Sequence, residues 1–138
     1  MIEEVRFSKE HEWIIIKGGL AIMGISDFAQ RQLGDIVSIE LPRVGSRFRY
    51  MQAMAIIDSV KASSDIYCAL SGEVVEVNKE LLEHPEWINQ SPYELGWIVK
   101  MKPSNMEEEL DSLMTNEQYN KFIGEMKKEE KNERAGRF

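Results

Sequence analysis

Apolar residues come in short runs, and each run ends at glycine, proline or a small polar cluster, a rhythm of strands and turns. His11–Lys17 carries Trp13, Ile14, Ile15 and Ile16 and stops at Gly18-Gly19, which reads as a strand closed by a tight turn. Leu20–Ile25 returns as its partner, and Glu4–Phe7 supplies a short edge strand ahead of both. Ser26 then stands as an N-cap with Asp27 in the first turn, Phe28, Ala29 and Leu33 on one helical face, and Gly34 at the C-terminal stop.

Asp35–Leu41 alternates imperfectly and ends at the turn Pro42-Arg43-Val44-Gly45, after which Phe48–Tyr50 begins another strand. In Met54–Tyr67 two apolar runs suited to strands meet at a small polar turn, predicting a hairpin that projects Lys61 as a flexible, solvated amine. Gly34-Asp35-Ile36-Val37-Ser38-Ile39 is echoed by Gly72-Glu73-Val74-Val75-Glu76-Val77 on the far side of that hairpin, which suggests two similar halves of a sandwich. Leu81–Trp87 reads as a short irregular helix or loop, Ser91-Pro92-Tyr93 as a turn, and Gly96–Met101 as the last strand. Beyond Pro103, Ser104 or Asn105 caps a helix with Glu107–Glu109 at its positive end and Leu110, Leu113 and Met114 as its stripe. Thr115 and Gln118 form a capping box for a second helix bearing Tyr119, Phe122, Ile123 and Met126. Residues 127–138 are nearly all charged or small and are expected to fray.

The chain has 138 residues and is 43% hydrophobic, enough for one domain with one core. Cys68 is the only cysteine and the two histidines lie far apart, so a metal-free protein without a disulfide is expected. There is no apolar run long enough to span a membrane and no signal-peptide layout in Met1–Lys17, which points to the cytoplasm. A net charge of −7 argues against nucleic acid and anionic membranes as partners and favours basic docking sites on other proteins.

A lysine at a turn is ordinarily only a solvated charge. Its neighbours change that expectation: Asp58-Ser59-Val60-Lys61-Ala62, then Ser64-Asp65 and Ser71-Gly72-Glu73-Val74, resemble the lipoylation segment of the glycine cleavage system H protein family. The likeness extends through Ser8-Lys9-Glu10-His11-Glu12-Trp13, Gly24–Gln30, Leu33–Val37, Glu40-Leu41-Pro42 and Ser91–Trp97, and covers about residues 6 to 126. The resemblance implies a mainly β fold, a barrel-sandwich hybrid lipoyl domain with peripheral helices and a C-terminal helical extension. Residues 1–126 would form that domain and 127–138 a charged tail. It also implies lipoate amide-linked to Lys61, Asp58 and Gly72 as features recognised by a lipoyl-attaching enzyme, and Glu12 and Asp65 as carboxylates of the arm cleft. The implied role is a non-catalytic shuttle of an aminomethyl group among glycine decarboxylase, aminomethyltransferase and dihydrolipoyl dehydrogenase.

Biotin carriers resemble a pattern with methionine on both sides of the lysine, and 2-oxo acid dehydrogenase domains one with aspartate directly before it, whereas Val60 and Ala62 flank Lys61 here. Glu10 stands where the family commonly has serine and Gln32 where many members have histidine. These departures keep open an alternative cargo, an H-like carrier of sulfur intermediates for a heterodisulfide-reductase-like complex; a lipoyl donor for other lipoyl domains is a further reading. Cys68 is expected to be an inert core thiol, with a Cys68–His11 enzyme as the weaker competitor, and His11 to be a structural partner at the strand start.

Overall fold

In the computed structural model, which describes residues 4–136 and the side chains of residues 4–129, strands form two antiparallel sheets. Strands β1 (Val5–Phe7), β2 (Glu12–Lys17) and β3 (Leu20–Ile25) run consecutively. The β2–β3 hairpin closes through Gly18 and Gly19 at φ +57° and +78°, left-handed values that suit glycine. Its register, Glu12 opposite Ile25 and Lys17 opposite Leu20, turns Ile14 toward the main core and sends Trp13 to the opposite face. A Cβ on Gly24 would lie 2.6 Å from Trp13 Nε1, so the absent side chain makes the bed for this indole.

Helix α1 (Asp27–Leu33) starts where Ser26 Oγ accepts from Ala29 N and ends at Gly34, φ +76°, as expected. Strand β4 (Ile36–Glu40) explains its imperfect alternation: a register shift between Ile36 and Ser38 lets Ile36 and Ile39 both face inward, leaving Val37 exposed. Strand β5 is only Arg47–Phe48, because Arg49–Gln52 turns, with Met51 at φ +64°, before β6 (Ala53–Ser59) begins. The strand expected over Phe48–Tyr50 therefore stops two residues early. β6 pairs with β7 (Ser63–Tyr67) in the predicted hairpin, and β4-β6-β7 is the smaller sheet. β8 (Gly72–Val77), the second copy of the echoed phrase, lies in the larger sheet. A Cβ on Gly72 would stand 2.2 Å from the Lys102 carbonyl oxygen, whereas Gly34 serves a helix end, so the two echoed glycines do different work.

After a 3-10 turn at Lys79–Leu82 and the short α2 (Trp87–Gln90), extended pairing resumes in β9 (Val99–Pro103) rather than at Gly96, whose N–H is held by the Ser91 carbonyl. Helix α3 covers only Met106–Leu110. Met114, expected on its stripe, instead enters β10 (Met114–Thr115), which pairs with β1. β1 is thus flanked on both sides and is no edge; the larger sheet runs β10-β1-β2-β3-β9-β8-β5. Thr115 and Gln118 make the predicted capping box, Thr115 N to Gln118 Oε1 at 2.9 Å and Gln118 N to Thr115 Oγ1 at 3.2 Å. They open α4 (Asn116–Gly136), one unbroken helix, so no change of secondary structure marks residue 127.

Two apolar clusters hold these layers. The larger gathers Ile14, Met23, Ile57, Leu70, Val74, Ile98 and Met101 between the sheets. The smaller stacks Phe7 on Tyr119 at 4.1 Å between ring centroids, beside Trp13, and docks α4 on the outer face of β1–β2. Among the described residues no helix is long and apolar enough to cross a membrane.

Candidate functional site

The tip of the β6–β7 hairpin is stapled by one hydroxyl. Ser59 Oγ accepts from the N–H groups of Lys61 and Ala62, each at 3.1 Å, while Ser59 N donates to the Ala62 carbonyl at 2.9 Å. Val60 N reaches the Asp35 carbonyl at 3.0 Å and ties the tip to the start of β4. Below it, Asp58 accepts from Ser38 Oγ at 3.1 Å and from Ser63 Oγ, so its carboxylate braces all three strands of the small sheet. Lys61 is exposed, and its stem passes the C-cap of α1: a Cβ on Gly34 would lie 3.4 Å from Lys61 Cε. The turn is thus braced while the Lys61 amine stands in solvent.

From Gly34, α1 leads away from Lys61 along a cleft of about 350 Å³. Phe28, Ala29, Leu33 and Met126 give it an apolar floor, and Glu10, Gln32, Ser64, Asp65 and Lys127 its polar rim. Both positions singled out as departures, Glu10 and Gln32, thus face this cleft. His11, at φ +75°, contributes one wall but is committed elsewhere: its Nδ1 lies 2.8 Å from the Tyr119 hydroxyl, which lies 2.7 Å from Ser26 Oγ. Burial lowers the His11 pKa and pushes the Tyr119 phenol up to about 12, so a protonated phenol links α4 to the β2 start and the α1 cap.

Asp65 stands on the cleft rim, but Glu12 does not line the cleft. Glu12 is 1% exposed, accepts from Ser8 Oγ at 2.5 Å and from Tyr67 N at 3.3 Å, and so bolts β2 to the hairpin strand β7 from behind. Burial raises its pKa to about 7, against the lowering effect of those hydrogen bonds. Ser8 is the partner that sequence reasoning missed; its place four residues before the acid is the only signal. Cys68 is fully buried, its Sγ 2.9 Å from the Leu70 carbonyl, and burial pushes its thiol up to about 12. It bonds that carbonyl rather than His11, which removes the geometry a Cys68–His11 enzyme requires.

A lysine held out on a braced hairpin of a two-sheet sandwich, beside a cleft with an apolar floor and an acidic rim, is the arrangement of a carrier domain of the lipoyl type. The comparisons agree. The profile of the glycine cleavage H-protein family matches residues 5–126. The glycine cleavage system H protein of Halothermothrix orenii is 46% identical over 124 residues, covering 90% of this chain and 96% of that protein. That of Carboxydothermus hydrogenoformans is 48% identical over 123 residues, covering 89% and 94%. The crystal structure of a glycine cleavage system H protein from Mycobacterium marinum superposes with a TM-score of 0.80 at 29% identity, covering 90% of this chain and 99% of that one. The chain belongs to the glycine cleavage H-protein family. It is a lipoate-carrying component of glycine cleavage and not a catalyst. These relatives lend no support to the sulfur-carrier alternative.

Proposed function

We propose that Lys61 is the residue that bears lipoate, through an amide on its Nζ, and that the arm rests along the cleft between α1, β7 and α4. Lipoate supplies a dithiolane that can be opened, loaded and reoxidised; the protein supplies position. The observation that carries the reading is the braced tip, where Ser59 and Asp58 fix the turn while Lys61 is exposed. Asp58 acts in attachment by holding the strands on either side of the lysine. Gly72 lies in the larger sheet, and its contribution to attachment is indirect, through packing.

Cationic aminomethyl cargo would be drawn to Asp65 and Glu10 at the rim, with Glu12 keeping Tyr67 and the hairpin in place behind them. The partners are those of glycine cleavage, taken in turn in the cytoplasm: glycine decarboxylase loads the arm, aminomethyltransferase unloads it, dihydrolipoyl dehydrogenase reoxidises it. Tethering raises the local concentration of the thiol at each of them. Coexpression with a lipoyl-attaching enzyme, followed by intact-mass and peptide analysis, should place one lipoyl group on Lys61. Lys61→Arg should carry none and melt as the wild type does, since a guanidinium keeps the charge and offers no amine for the amide. A lipoyl group on any other residue sinks the assignment.

A further inference from the structure

The inner face of α4 repeats Tyr119, Phe122, Ile123 and Met126 at helical spacing, and the next position on that stripe is Lys127. Sequence patterning ends the stripe at Met126 and leaves Lys127 in a solvated tail. In the structure its side chain is exposed, as that patterning implies, but it stands at the rim of a cavity rather than clear of one. Lys127 lines the arm cleft and also a second cavity of about 530 Å³ across Phe28, and its ammonium stands 5.9 Å from the centroid of the Phe28 ring. Among the described residues it is the one lysine or arginine lining a cleft whose anionic side chains are Glu10 and Asp65. It also lies one residue beyond the segment the family profile matches.

We propose that Lys127 is a charge gate, a specificity-determining residue whose ammonium competes with a cationic arm for Glu10 and Asp65. With the arm out of the cleft, it offsets the two carboxylates. With an ammonium-bearing arm entering, it repels the newcomer, so the cleft holds that cargo less firmly than its acidic rim alone would. A neutral arm of the same length feels only the apolar floor. The inference rests on the arm lying in this cleft, and the experiment separates the two.

Carriers would be prepared with Lys61 acylated by octanoate, a neutral arm, or by 8-aminooctanoate, a cationic one. Seating is read from the NMR shifts of the Met126 methyl and the Phe28 ring, without any enzyme of the system. Lys127→Met should raise the ratio of seated to free cationic arm about fivefold and leave the neutral arm within about twofold, the scale of a partly exposed charge pair. Added salt should shrink the difference, and Lys127→Glu should exceed Lys127→Met. If both arms seat and neither responds to position 127, or both respond alike, the gate is wrong and the cleft reading survives. If neither arm perturbs Met126 or Phe28 in any variant, the arm does not lie in this cleft, and both fall.

Discussion

The hairpin tip and the arm cleft adjoin at Gly34, yet they are built by opposite means. The tip is made mostly by near neighbours in sequence, Asp58, Ser59 and Ser63 bonding to one another or to the backbone between them, with β4 adding only Ser38 Oγ to Asp58 and the Asp35 carbonyl to Val60 N. The cleft is assembled from Glu10 and His11, from α1, from β7 and from the middle of α4, segments that meet only when both sheets and the last helix are in place. The tip therefore needs only its own hairpin and the neighbouring strand β4, whereas the cleft needs the whole fold. Changes far from Lys61 should damage the second more than the first.

The largest such effect is expected at Gly72. Its replacement by alanine drives a Cβ against the Lys102 carbonyl, backbone against which nothing can give, and should destabilise the protein by more than about 3 kcal/mol. Denaturant unfolding measures it. If Gly72→Ala melts normally while lipoylation falls, Gly72 is read directly by the attaching enzyme and the packing account fails.

Glu12 comes next and acts through pH. Its folded pKa of about 7 exceeds the ordinary 4.5, so between those values the folded chain keeps a proton that the unfolded chain has lost. Stability from this group is fully present below pH 4.5, declines as the pH rises, and is gone above 7, a change of about 3 kcal/mol. Glu12→Gln should flatten that slope while the tip remains a substrate for lipoylation. Unfolding free energies at pH 5 and pH 8 test this, and parallel slopes for wild type and variant would refute it.

Ser59→Ala should have the smallest effect on global stability, under about 1 kcal/mol, because the bonds it removes are exposed. Its mark should be local: faster hydrogen exchange at the amides of Lys61 and Ala62, with the amides of α4 unchanged. Loss of protection in α4 as well would mean that tip and cleft are one cooperative unit, and the contrast between them would collapse.

That contrast also explains what could be read from the chain. The hairpin, the Ser26 cap, Gly34 and the Thr115–Gln118 box are spelled by neighbouring residues, and each stands where spacing placed it. Met114 was misplaced because pairing with Phe7, at the other end of the chain, overrides its local helical pattern. The cleft role of Glu12 is implied by family likeness alone, and nothing local tells which side of β2 it occupies or that Tyr67 N claims one of its oxygens. The cleft itself was legible only as family likeness, and the place of Lys127 on its rim not even so, since that depends on how α4 docks through Tyr119.

Thr115 has a double duty, paired with Arg6 in β10 and capping α4, and this sets an order of events during synthesis. The hairpin closes between residues a few positions apart and can form while the chain is still emerging, but the β1–β10 pair joins the two ends of the domain and must wait for release of the C-terminal segment. The lysine is thus displayed before its cleft exists. A chain ending before α4 would keep the residues of the hairpin and of β4 but lose the wall that Met126 and Lys127 give the cleft, so the last helix to be made is the one that completes it.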